Sequence, residues 1–307
     1  MLAYSRRIFL FLLTNLAVVT MLAIVGQLLG LDRIVARSGY GIDYTSLLIW
    51  CGFMGMAGSL ISLALSKTMA RYSVGAQVIT EPRNDSEAWL VDTVARLAKD
   101  SGLGMPEVAV FPASDPNAFA TGARRDHALV AVSQGLLQSM NKTEIEAVLG
   151  HEITHVANGD MVTMALLQGV VNTFVYFLSR VIGFAVDAAL SGRSRDDDRR
   201  GYGSGGIGYL LTVMVSQVFL GILASIIVMW YSRRREFRAD AGSARLRGKE
   251  PMIAALAELA RAHEPSQMPQ SLAAFGIRGT GRAILGVLLS SHPPLEDRIA
   301  ALEALPG

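Results

Sequence analysis

Apolar residues gather in four stretches of the chain, with polar regions between and after them. The first stretch runs from about Ile8 to Leu29 and is interrupted only by Thr14, Asn15, Thr20 and Gln27. The second, Tyr44 to Leu65, and the fourth, Tyr209 to Tyr231, contain no charged residue. Each is long enough for the roughly 20 helical residues that cross a hydrocarbon core of about 30 Å. Arg6 and Arg7 ahead of the first stretch suit a signal peptide. Its roughly 22 apolar residues exceed a signal's apolar region, however, so a retained anchor is expected. The third stretch, Met161 to Leu190, holds Arg180 and Asp187, seven apart on one helix face. Either that span ends near Arg180, or both charges face protein or water inside the bundle. A re-entrant or laterally packed hairpin for the third and fourth stretches is also open.

Two polar regions remain, Lys67 to Asp160 and Ser232 to Gly307. Four crossings place both on the same side. Arg6, Arg7, Lys67, Arg71, Arg233, Arg234 and Arg235 flank the spans there, which makes that side the cytoplasm. Arg33, Arg37, Arg193, Arg195, Arg199 and Arg200 in the opposite loops weigh against it. Within the polar regions, Asn84 or Asp85 caps a helix through Lys99, with Gly102 as its terminator. Glu107 to Phe111 and Ala128 to Val132 read as short strands, and Asn117 to Thr121 as an extended edge of the same sheet. Thr143 and Glu146 form a capping box at the start of a strong helix. Pro251 and Pro294 open two more helices. The expected fold is mainly α: four transmembrane helices with a polar domain built around one small β-sheet. Its parts are an N-terminal hairpin (1–66), a first polar part with the capped helix (67–160), a second hairpin (161–231) with a flexible loop (191–207), and a second polar part (232–307).

Composition agrees with a membrane protein. Of the 307 residues, 51% are hydrophobic and 18% charged, against about 25% charged in an ordinary soluble domain. A net charge of +2 is too small to argue for nucleic acid as a partner. The single cysteine, Cys51, excludes an intramolecular disulfide.

The chemistry lies in the capped helix, TEIEAVLGHEITHVANGD, which contains His151, Glu152 and His155 in the spacing H-E-x-x-H. Residues four apart lie on one helix face, so both imidazoles reach one ion. Glu152 is about 100° round the helix from His151, beside the ion and placed as a general base toward water. Two imidazoles suit Zn²⁺, with one position left for water in a catalytic site. Two of the chain's five histidines fall here. A third ligand is within reach. His155 lies about 9 Å before the third span and Glu236 about 8 Å after the fourth, at 1.5 Å per helical residue. A hairpin of those spans brings the two together. Asp240, four residues on, shares the face of Glu236 and accepts the distal N–H of a ligand histidine. The bland reading of Glu236 is a surface partner for Arg233 or Arg238.

HEITHVANGD followed by EFRAD, with one hydrophobic hairpin between them and another at the N-terminus, resembles the HtpX family of membrane-bound zinc metalloproteases, whose wider relatives include the CaaX prenyl endopeptidases. The likeness extends to PNAFATG (Pro116 to Gly122) and SSHPPLEDRI (Ser290 to Ile299). It implies a gluzincin-like catalytic domain facing the bacterial cytoplasm, in the inner membrane, and a role in stress response and membrane-protein quality control. Carried over, His151, His155 and Glu236 are zinc ligands for one ion per chain, Glu152 is the catalytic base, and Asp240 steadies a ligand.

Other positions admit two readings each. Asn117 either flanks a substrate cleft whose edge strand pairs with a peptide, or sits in a turn after Pro116. His292 either stabilises an oxyanion near the metal, or caps the last helix. Asp160 either orients the motif helix or marks its exit into the membrane. His127 reads as exposed, and His263 as a cation in a helix's last turn. The stretch from Glu264 to Ser291 is loop-like and suits a flap. The expected activity is zinc-dependent endopeptidase cleavage of membrane or misfolded proteins at the cytoplasmic face, by metal-activated water with Glu152 as general base. The alternative is a zinc-stabilised membrane scaffold with no catalysis, which has no need of Glu152. Transport, resting on Arg180 and Asp187, is a weaker third.

Overall fold

A computed structural model describes residues 43–191, 207–262, 290 and 292–306, with scattered positions between 20 and 35. Most of the first apolar stretch, the 191–207 loop, His263 and nearly all of the Glu264 to Ser291 segment lie outside the described residues. The described chain is mainly helical with one small sheet. In order it comprises α1 (Tyr44–Val74), β1 (Gln77–Val78), α2 (Asp85–Asp100), β2 (Glu107–Phe111), β3 (Ala118–Thr121), β4 (Leu129–Ser133), α3 (Gln134–Ser139), α4 (Lys142–Asn158), α5 (Asp160–Ser191), α6 (Ile207–Arg247), α7 (Lys249–Ala262) and α8 (Leu295–Glu303). Contacts divide it into two units: Met1–Ile61 with Ala165–Val228, and Ser62–Met164 with Met229–Gly307.

Among the described residues, three helices are long and apolar enough to cross a membrane, α1, α5 and α6. The third stretch is one uninterrupted helix, with Arg180 and Asp187 both inside it. The Arg180 Nη1 donates to the carbonyl of Tyr176 one turn back (3.0 Å). Tyr44, Leu47, Leu48 and Cys51 pack against Phe177, Val181 and Phe184. Farther along, two glycines let backbones meet. A methyl added to Gly55 would lie 2.6 Å from Thr173 Oγ1, and one on Gly169 would lie 2.7 Å from Ser59 Oγ. Much of the remaining apolar surface is bare, including Phe53 (61% exposed) and Val215 (68%). That surface suits lipid rather than water.

The second unit holds the sheet, in the order β1-β2-β4-β3. β2 and β4 run parallel, and β1 and β3 flank them antiparallel. Leu90, Val94 and Leu97 of α2, Val108, Val130 and Val132 of the sheet, and Ile145, Leu149 and Ile153 of α4 form one core. Each such side chain, fully buried, contributes about 1.5–3 kcal/mol. That core fixes α4 against the sheet. The capping box differs from the expected pair by two residues. Asn141 Oδ1 accepts from the N–H groups of Thr143 and Glu144, and Glu144 returns a bond to the Asn141 N–H. Glu146 is instead drawn to Arg96 (3.3 Å) and Arg247 (2.7 Å), which holds it away from the helix start. The last strand also begins one residue later than expected, at Leu129.

Candidate metal centre

α4 turns one face toward α6, and the approach is close because the residues there are small. A methyl on Gly242 would collide with Thr154 at 2.3 Å. Ser243 Oγ donates across to the carbonyl of Ala147 (2.6 Å). Ala239 is fully buried, but Gly242 and Ser243 make the tightest contacts. This packing brings Glu236 and Asp240 of α6 to His151 and His155 of α4.

The two imidazoles stand edge to face, with ring centroids 4.6 Å apart. Glu236 Oε2 lies 3.5 Å from His151 Nε2, and Oε1 lies 3.3 Å from His155 Nε2. His151, His155 and Glu236 are all buried, and one donor atom from each falls within 4.8 Å of the others. Behind them stand two further carboxylates. His151 Nδ1 is 2.8 Å from Asp240 Oδ1, and His155 Nδ1 is 2.7 Å from Asp160 Oδ2. A carboxylate only accepts, so each Nδ1 carries the proton and each Nε2 turns a lone pair inward. Asp160 reaches His155 because Gly159 ends α4 in the left-handed region (φ 65°), letting α5 begin at once.

Those inward nitrogens are 3.1 Å apart. Two lone pairs at that distance repel unless a cation or proton lies between them. Glu236 Oε1 is buried with no hydrogen-bond partner among the described residues. Four carboxylates, Glu152, Asp160, Glu236 and Asp240, stand here against the two guanidinium groups of Arg298 and Arg235. The donor set and its surplus negative charge both fit a divalent metal ion.

Without metal, protons take up part of that charge. Burial opposes a charged His151, but hydrogen bonds to Asp240 and Glu236 outweigh it and push its pKa up to about 9. His155 also rises, through Asp160 and Glu236, against the same burial. Burial favours a neutral Glu236, yet His151, His155 and His292 hold it far below the ordinary carboxylate range. Asp240 is lowered against burial by Arg298 and His151.

Glu152 is half-buried, and its Oε2 accepts from the N–H of Ala120 in β3 (2.8 Å). His292 is 59% exposed, and its Nδ1 lies 2.8 Å from Glu236 Oε2. It therefore joins the cluster, while the nitrogen on the far side of the ring is left for other partners. Asn117 is exposed beside the start of β3. Its N–H donates to Ser133 Oγ (2.9 Å) and its carbonyl accepts from the Ser133 N–H (2.8 Å). His127 is exposed, in a short turn before β4.

One member of the cluster escaped the sequence analysis. Arg298 is buried, and its guanidinium grips Asp240 with Nε on Oδ2 (2.8 Å) and Nη2 on Oδ1 (2.6 Å). Its Nη1 lies 3.9 Å from Glu236. A signal was present. Arg298 occupies the apolar stripe of the last helix with Leu295, Ile299 and Leu302, where a charge has to find a buried partner.

An H-E-x-x-H helix, a glutamate from a second helix and long apolar helices define a membrane-bound metal-dependent peptidase. The comparisons with known proteins agree. The sequence profile of peptidase family M48 matches residues 84–305, and the chain belongs to that family. It is similar to Protease HtpX of Thioalkalivibrio sulfidiphilus, at 55% identity over 98% of this chain and 99% of the relative. It is 55% identical to a Protease HtpX homolog of Nitrosomonas europaea, over 97% and 99% of the two chains. Identity to a homolog of Janthinobacterium sp. is 56%, over 98% and 99%. Among solved structures, S. mikatae Ste24p shares the fold, with a TM-score of 0.63 at 18% identity. That match covers 95% of this chain and 66% of the other. The protein is thus a membrane metalloprotease of the HtpX type, acting on peptide or protein substrates.

Proposed function

We propose that the protein is a zinc endopeptidase of the bacterial inner membrane, that its catalytic residues face the cytoplasm, and that its substrates are membrane proteins or misfolded chains. The observation that carries this reading is the convergence of two braced histidine nitrogens on a buried glutamate oxygen that has no hydrogen bond among the described residues. Among the described residues the cluster offers three donor groups, which leaves a coordination position open, as catalytic zinc requires and structural zinc does not. One ion per chain, held by His151, His155 and Glu236, would supply Lewis acidity toward a carbonyl and lower the pKa of water beside it.

The protein's own groups do the rest. Glu152 takes a proton from the attacking water and returns it to the leaving amine. Asp240 and Asp160 keep the ligand imidazoles in one tautomer. His292 stands beside Glu236 and is placed to stabilise the developing oxyanion. Because Asn117 and Ala120 mark which groups of β3 face β4 and which face Glu152, the main-chain groups of Ala118 and the carbonyl of Ala120 face away from β4, while the Ala120 N–H is taken by Glu152. A substrate strand pairs there, next to Asn117. Ile8–Leu29 supplies the fourth crossing, and the positive-inside rule then selects the cytoplasm. In this reading 67–160 and 232–307 form the catalytic domain, and 1–66 and 161–231 the two hairpins. Glu236 follows Tyr231 by about 8 Å of helix, so substrates presented at the bilayer are within reach.

The test is cleavage of unfolded casein by the full chain purified in detergent with added zinc. Glu152→Gln should retain about one zinc per chain and lose on the order of 10²- to 10⁴-fold in rate. Equal cleavage by the variant would remove Glu152 from the mechanism.

A further inference from the structure

Four arginines follow the apolar part of α6, and they divide into two pairs by what they touch. Arg233 donates to the carbonyl of Ser290 (2.9 Å). Arg235 meets Ser232 (3.4 Å) and Glu236 (3.6 Å). Both are committed to the protein. Arg234 and Arg238 are exposed and have no carboxylate within ion-pair distance among the described residues. Each instead folds back along the helix over an aromatic ring. Arg234 Cζ lies 4.6 Å from the centre of Trp230, and Arg238 Cζ lies 5.7 Å from that of Tyr231. Arg238 Nη2 also donates to the Tyr231 hydroxyl (3.4 Å).

Residues 230, 234 and 238 are spaced by four, so they form one stripe along the helix. Glu236, two residues past Arg234, points to the opposite side, which separates the stripe from the metal cluster. Trp230 is itself 49% exposed, a costly placement in water but the usual one for tryptophan at the boundary of a bilayer. An arginine bent back over that ring brings its charge toward the boundary instead of out into solvent.

We propose that Trp230, Tyr231, Arg234 and Arg238 form a binding surface for an anionic phospholipid headgroup. The two guanidinium groups, one helical turn apart, bind its phosphate, and the rings sit at the level of its glycerol. A guanidinium is suited to phosphate because its donors lie in a planar fork. A zwitterionic headgroup has the same phosphate, but its ammonium cancels the charge that two unpaired arginines select.

The full chain, purified in detergent, is mixed with equal amounts of dioleoyl phosphatidylglycerol and dioleoyl phosphatidylcholine, and retained lipids are counted by native mass spectrometry. The wild type should retain the anionic lipid preferentially. R234Q/R238Q should lose about fivefold of that preference per arginine. R234K/R238K should recover the electrostatic part, and R245Q/R261Q, with the same charge removed elsewhere, should match the wild type. Equal retention of both lipids by the wild type overturns the proposal. So does an unchanged preference in R234Q/R238Q, a loss of equal size in R245Q/R261Q, or displacement of the lipid by inorganic phosphate alone, which would mark a bare anion site.

Discussion

The two units of this chain hold themselves together by different means. In the unit of residues 1–61 and 165–228, the closest helix contacts are made by glycine, serine and threonine beside one apolar cluster around Phe177 and Phe184, while much other apolar surface, Phe53 and Val215 included, faces outward. The hydroxyls at the contact are satisfied by their own helices: Thr173 donates to the Gly169 carbonyl (2.9 Å) and Ser59 to that of Met56 (3.0 Å). In the unit of residues 62–164 and 229–307, leucines and valines fill the centre, and charged groups are buried beside them. Apolar burial gives no net drive between helices in lipid, so close backbone packing takes its place. On the water side the apolar core supplies that drive, and it offsets the cost of taking histidines, carboxylates and an arginine out of solvent.

The largest break in that comparison comes from the charged side. Arg298→Met keeps the volume at the apolar stripe of α8 but leaves Asp240 buried without its guanidinium. Removing one partner of a buried pair costs about 3–5 kcal/mol, and the full chain in detergent should lose on the order of 10 °C in Tm. Arg298→Lys should recover part of it. A Tm shift near zero for Arg298→Met would mean that the cluster does not bear on the stability of its unit.

Arg298 also shows where sequence reasoning stops. His151, Glu152 and His155 are legible because helical spacing alone puts them on one face. Glu236 and Asp240 are legible because they lie one turn apart just beyond an apolar helix, and α6 does run unbroken from Ile207 through both. Arg298 reaches Asp240 across 58 residues, and no local period encodes that contact. Asp160 admits two roles in the sequence because the choice depends on the chain reversal at Gly159. The capping box slipped by two residues for a similar reason: Thr143 and Asn141 are both good caps, and tertiary partners of Glu146 decide between them. Three of the sheet's four strands are legible to within a residue as short apolar runs between turns, whereas β1, only Gln77–Val78, is too short to carry a pattern.

A smaller effect is expected on the lipid-facing side. Gly169→Ala puts a methyl 2.7 Å from Ser59 Oγ and 2.8 Å from Met56 Sδ, and such overpacking costs about 1–3 kcal/mol. Phe219→Leu, on the bare face of α6 (62% exposed), should change stability by less than about 0.5 kcal/mol. Equal losses for the two, read as Tm of the full chain in detergent, would show that the exposed face of α6 is packed against protein and not lipid.

A titration separates the metal-free cluster from the loaded one. With its pKa pushed up to about 9, His151 in the metal-free protein holds a proton that an unfolded chain releases near 6.5. A raised histidine pKa stabilises the folded state fully below about pH 6.5, and that contribution disappears as pH rises through about 9. Glu236 and Asp240 are lowered instead; their contribution is present above the ordinary carboxylate range and disappears only in acid. Between those limits the metal-free Tm should fall as pH rises from 6.5 to 9. Zinc must displace the His151 proton, so its affinity should rise with pH, by at most about tenfold per unit for one proton, and level off above 9. Zinc titrations of the full chain at pH 6.5, 7.5 and 8.5, with a competing chelator, measure the slope. A flat profile would mean that His151 is already neutral when the metal arrives and that the surplus negative charge of the cluster is held by some other group.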